Sequence, residues 1–180
     1  MTIGEFMDFS DLKNIFNANC FPIDQSALKE VGEGNVVVQS VPIDGGGVDS
    51  CCVMRIDPNF KDPFPYFKEG EPYHLKRICD YFVFVSANTK IYVLLVELKS
   101  GTGTALQQLE NSECFWNFIQ KSAERNGVDV SNIERTIKVK LHQPQKAGTK
   151  IEVPRYDTKT NCVIYHWSSC RLNRILQLVH

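Results

Sequence analysis

Asp80, Glu97 and Lys99 are the residues of this chain whose types and spacing could do chemistry together. They sit in the stretch 79–101, CDYFVFVSANTKIYVLLVELKSG, where an acid opens one apolar run and an acid-x-base pair closes the next. The two runs, 80–86 and 90–99, are rich in Val, Ile, Phe and Tyr and flank Asn88-Thr89, the pattern of a β-hairpin with a two-residue turn. Such a turn pairs residue i with residue 177 − i, which sets Asp80 opposite Glu97. Directly opposed side chains have Cβ atoms about 4.5–5.5 Å apart. Two carboxylates that close repel unless a cation or a shared proton lies between them. Lys99, two residues beyond Glu97, emerges on the same face. The chemistry expected is a metal site with a base beside it.

Acid-x-Lys alone carries little, because it also occurs as Asp11-Leu12-Lys13 and Asp157-Thr158-Lys159. Only the central copy follows a long apolar strand, faces an upstream acid and opens a Gly-flanked helix. After Lys99, Ser100-Gly101-Thr102-Gly103-Thr104 turns the chain into a helix expected over 105–125. Its stripe Ala105, Leu109, Ser112, Trp116 and Ile119 packs on the sheet, and Gln108 lies beside the stripe near the acids. Asn126-Gly127 ends that helix.

Upstream, residues 5–17 read as a short amphipathic helix, and Asp24 as the N-cap of a second helix over 25–31 that stops at Gly32. Strands are expected at 35–43 and 50–56, joined by Asp44-Gly45-Gly46-Gly47. That glycine run lacks the Lys-Ser/Thr and helix of a phosphate-binding P-loop. Pro58, Pro63, Pro65 and Pro72 break the segment 57–72, whose aromatic rings could brace the site or stack on bases. Downstream, strands at 135–142 and 162–167 flank a basic, polar loop over 143–160. Ser168 or Ser169 caps a last helix ending at Leu178. His142 and His166 read as strand residues rather than general bases.

Asp80, then Glu97-Leu98-Lys99 at the end of an apolar strand, then a helix carrying Gln108-Leu109, resembles the PD-(D/E)XK nuclease superfamily. VELKSG followed by ALQQLEN is similar to its small stand-alone members; the likeness spans roughly residues 24–142. It implies an α/β restriction-endonuclease-like core, a mixed β-sheet flanked by helices, in a single domain over 1–180. It also implies a Mg²⁺-dependent endonuclease, with Mn²⁺ as substitute, that hydrolyses DNA rather than RNA in phage defence, restriction or repair. By the resemblance, Asp80, Glu97 and the Leu98 carbonyl hold the metal. Glu30 is the candidate for the first-helix acid, with Glu33 in reserve. Lys99 positions water or neutralises developing charge, and Gln108 orients the nucleophile or substrate. Cys79 stands where the family commonly has Pro. The alternative is a catalytically inactive nuclease-fold subunit binding nucleic acid or a protein, or an effector active only within a larger assembly.

With 180 residues, 43% of them hydrophobic, the chain has material for one core. No apolar run reaches the ~18 residues of a membrane helix, and MTIGEFMDFSDLKN lacks the basic and apolar regions of a signal peptide, so a cytoplasmic protein is expected. Seven cysteines without a C-x-x-C spacing read as reduced, buried thiols, and Cys162 with His166 lacks a second pair to complete a zinc site. The net charge of −1 divides into −7 over 1–120 and +6 over 121–180. Lys138, Lys140, Lys146, Lys150 and Arg155 in the basic third form a footprint for a phosphate backbone or an ordinary solvated face. A chain this near neutrality would bind DNA tightly only as a homodimer or with a protein partner.

Overall fold

A computed structural model describes residues 14–31, 37–56, 75–99, 105–142, 154–166 and 170–180. Its centre is the antiparallel hairpin of β4 (Tyr81–Ala87) and β5 (Lys90–Lys99), paired from Tyr81↔Val96 to Ala87↔Lys90, the register 177 − i. Asn88 and Thr89 both take positive φ, 53° and 64°, the type I′ geometry whose twist suits a two-residue hairpin. The Asn88 N–H donates to Asp49 Oδ2 at 2.9 Å. Ile91 to Leu98 are all buried, as a strand covered on both faces requires.

β5 leads into α1 (Leu106–Arg125), which crosses over to β6 (Ile133–His142), parallel to β5. β3 (Ser50–Arg55) pairs with β4, β8 (Cys162–His166) lies parallel to β6, and β7 (Arg155–Asp157) is antiparallel to β8. The resulting six-stranded mixed sheet has the order β3-β4-β5-β6-β8-β7. A second sheet, β1-β2-β9, contains β1 (Ala27–Val31), β2 (Val37–Asp44) and β9 (Cys170–Arg171), and α2 (Leu172–Val179) follows it.

Alternation along the strands sorts the core into two faces. Tyr81, Val83, Leu94, Val96 and Val139 pack with Leu28 of β1 and with Leu172 and Ile175 of α2. Phe82, Phe84, Val93 and Leu95 pack under Leu109, Trp116 and Ile119 of α1. The Trp116 ring meets Phe82 and Phe84 edge-on, at centroid distances of 6.1 and 5.5 Å. Glu97 and Lys99 alternate with Val96 and Leu98 and so belong to the α1 face.

Several expectations are corrected. The segment expected as a helix over 25–31 is strand β1; five residues are too few to separate a period of 3.6 from one of 2, and pairing with β2 supplies its hydrogen bonds. Asp24 accepts the Ser26 N–H and the Lys29 ammonium at 2.9 and 2.8 Å, so it closes a turn instead of capping a helix. The one sheet expected is two. The loop expected over 143–160 includes β7, and its Asp157 takes the Lys159 N–H at 3.0 Å, which makes that acid-x-Lys copy a turn. α2 begins after Arg171, without a side-chain cap, rather than after Ser168 or Ser169. Those serines, most of the expected 5–17 helix, Glu33, the 57–72 segment, Lys146 and Lys150 lie outside the described residues. Among the described residues no helix is long and apolar enough to cross a membrane.

Candidate active site

The site forms where β4 begins and β5 ends. The Leu98 N–H points toward β4 and donates to Asp80 Oδ2 at 2.8 Å. N–H groups alternate sides along a strand, so, by extension of the register one step past Tyr81↔Val96, Glu97 and Asp80 take the place of a non-hydrogen-bonded pair. In such pairs the Cα atoms are about 4.5 Å apart and the side chains approach most closely. The hairpin register thus presses two carboxylates together.

Glu97 is only 2% exposed. Its Oε1 receives Lys99 Nζ at 2.6 Å, while its Oε2 is buried without a hydrogen-bond partner among the described residues. Burial, and then the charge of Asp80, push the Glu97 carboxyl up to about 7 against the opposing pull of Lys99. Burial also raises Asp80, opposed by the Leu98 N–H, Lys99 and Arg55. Lys99 Nζ is braced from the other side by Gln108 Oε1 at 2.9 Å. Lys99 therefore faces both acids, with Arg55 as a further positive charge acting on Asp80.

Helix α1 fixes the chain that enters the site. Asn111 Nδ2 donates to the Arg77 carbonyl at 3.0 Å, Gln108 Nε2 reaches the Ile78 carbonyl at a long 3.5 Å, and the Cys79 N–H donates to Ser112 Oγ at 2.7 Å. Positions i, i+3 and i+4 lie on one helix face, so Gln108, Asn111 and Ser112 grip three successive residues before Asp80.

No protein-family model, curated protein or solved structure matches this chain. The four residues Asp80, Glu97, Lys99 and Gln108 come together around one point, with the Leu98 backbone beside them. Glu30 stands on a strand and not on a first helix. It lies on β1, opposite Gln39, in the sheet anchored to the other face through buried Leu28 and the Tyr81 hydroxyl, which bonds the Lys29 backbone at 2.8 and 2.7 Å. Among the described residues no group of three or more His, Cys, Asp or Glu gathers.

The basic residues divide. Lys138 is 6% exposed and ion-paired to Glu113 Oε2 at 2.7 Å, so it ties sheet to helix and is not open to a phosphate backbone. Lys140 is half-buried and is the β6 partner of Glu97; beyond it in the same row come Ile164 and the exposed Arg155. His142 is likewise the β6 partner of Lys99. The cysteines are all free thiols, and burial pushes Cys162 up to about 11, in the neutral form. Sequence reasoning missed Asn111, Ser112 and the place of Lys140 beside Glu97. A serine inside an otherwise apolar helix stripe was the available signal for the first two.

Proposed function

We propose that the chain is a metal-dependent nuclease of the PD-(D/E)XK kind, built on a restriction-endonuclease-like core and acting on DNA phosphodiester bonds. One observation carries this reading: buried Glu97 faces a second acid and keeps an oxygen without a partner among the described residues. The donor set fits a hard divalent cation, since Asp80 and Glu97 offer carboxylate oxygens and the Leu98 carbonyl faces the same edge as its N–H. These three would hold Mg²⁺, with Mn²⁺ as substitute; when bound, such an ion lowers the pKa of water and offsets charge on a phosphoryl oxygen.

The chain's own groups supply the rest. Lys99, held between Glu97 and Gln108, keeps a positive charge at a fixed point where it can orient water or neutralise charge developing on phosphate. The α1 grip on residues 77–79 keeps Asp80 in register with Glu97.

Calorimetric titration with Mn²⁺ and a nicking assay on plasmid DNA test the reading. The parent protein is expected to bind Mn²⁺ and to cut with Mg²⁺ or Mn²⁺, while Ca²⁺ supports binding with little turnover. Absence of both binding and cutting would leave a non-catalytic subunit or a partner-dependent effector. The near-complete closure of Glu97 under Lys99 favours the second of those, because a partner or substrate could open it.

A further inference from the structure

The hairpin lacks a rung at the site. By alternation, Cys79 and Leu98 are the next residues after Tyr81↔Val96 that would exchange N–H···O=C bonds. Both donors go elsewhere: the Leu98 N–H to Asp80 Oδ2 at 2.8 Å, and the Cys79 N–H to Ser112 Oγ at 2.7 Å. Ser112 is fully buried and donates its own proton to the Gln108 carbonyl at 2.7 Å, which leaves its oxygen lone pairs to accept. A residue's N–H and C=O point to the same side of a strand, so the Leu98 carbonyl faces the side of Asp80 and Cys79, beyond the last pair of β4 with β5. Cys79 is the natural donor to that carbonyl, and Ser112 draws it away.

We propose that Ser112 is a positioning residue whose task is to keep the Leu98 carbonyl open as a ligand for a divalent cation beside Asp80 and Glu97. This rests on the metal-centre reading above. The blocking group is the Cys79 N–H, so a residue without an N–H at position 79 makes Ser112 dispensable. A serine that merely satisfies a buried donor would also be relieved by removing that donor, so what separates the proposal is a new Cys79 N–H···O=C Leu98 bond once Ser112 is gone.

Ser112→Ala, Ser112→Ala with Cys79→Pro, and Cys79→Pro alone provide the test, since proline carries no N–H. Two readouts apply: Mn²⁺ affinity by calorimetry, and the through-hydrogen-bond ¹⁵N–¹³C coupling between Cys79 and Leu98 in labelled, metal-free protein. Ser112→Ala is expected to gain that coupling and to bind Mn²⁺ about 10–100-fold more weakly. The double variant is expected to recover most of the loss, and Cys79→Pro alone to bind as the parent does. A folded Cys79→Pro protein with lost affinity overturns the proposal, so the test survives if Ser112→Ala fails to fold. A double variant as weak as Ser112→Ala, or Ser112→Ala binding like the parent, overturns it too while the metal centre stands. A parent protein that binds no Mn²⁺ removes the metal centre and the proposal with it.

Discussion

Two lysine–glutamate pairs lie on the α1 side of the six-stranded sheet, one on β5 and one joining β6 to the helix. Lys138 Nζ meets Glu113 Oε2 at 2.7 Å, and Lys99 Nζ meets Glu97 Oε1 at 2.6 Å. The distances are alike, and the electrostatics are not. In the Lys138 pair the lysine is the buried member, one charge answers one charge, and helix is tied to sheet. In the Lys99 pair the acid is the buried member, a second acid stands opposite, and one carboxylate oxygen has no hydrogen bond among the described residues. A balanced pair is mortar; an unbalanced one needs a proton or a further cation. Location decides which forms: Lys138 lies mid-strand, whereas Lys99 is the last residue of β5, where β4 no longer pairs with it.

The largest contrast should be in catalysis. Asp80→Asn and Glu97→Gln are each expected to lower Mg²⁺-dependent DNA cleavage by about 10²–10³-fold or more, with the fold retained. Glu113→Gln, assayed below its melting temperature, should cut nearly as the parent does. Equal losses at Glu97 and Glu113 would erase the distinction between the pairs.

Stability should show the reverse order. Lys138→Ala leaves Glu113 without its buried partner and is expected to lose about 1–3 kcal/mol in denaturant unfolding, less than for a fully buried pair because Glu113 is 30% exposed. Lys99→Gln should lose less, since Glu97 can take up a proton in place of the ammonium. A Lys99 variant that unfolds more readily than the Lys138 variant would make the β5 pair structural as well.

A pH series sharpens the same point. The Glu97 carboxyl is raised from 4.5 to about 7, so the folded chain holds a proton that the unfolded chain releases in that window. Its stabilising contribution is present at low pH and is lost as pH rises through the folded value. Metal-free protein should therefore melt at lower temperature near pH 8 than near pH 6, with Glu97→Gln flattening the slope and Mg²⁺ restoring stability at the higher pH. Melting curves of parent and Glu97→Gln with the same pH slope would argue against an uncompensated Glu97.

The smallest effect belongs to Gln108. Gln108→Leu removes the brace on Lys99 while leaving both acids, so cleavage should fall about tenfold with Mn²⁺ affinity nearly unchanged. A comparable drop in Mn²⁺ affinity would mean that Gln108 holds the metal centre rather than the lysine.

The hairpin was readable from the chain because its determinants are local. A two-residue turn between two apolar runs sets one register, and that register puts Asp80 against Glu97 and Lys99 on the same side. The helix over Leu106–Arg125 was readable for the same reason: twenty residues carry enough turns for a stripe to show. What the sequence could not decide were choices settled by distant partners. Ala27–Val31 became a strand because β2 lay beside it, which puts Glu30 on a strand rather than on a helix. Lys138 and Lys140 share one face of one strand, yet Glu113 closes over only the former. The open rung at Leu98 depends on Ser112, thirty-three positions from Cys79. Local pattern determines which residues face each other across a turn; only packing decides which polar groups remain for a ligand, because burial and hydrogen-bond partners come from segments far apart in the chain.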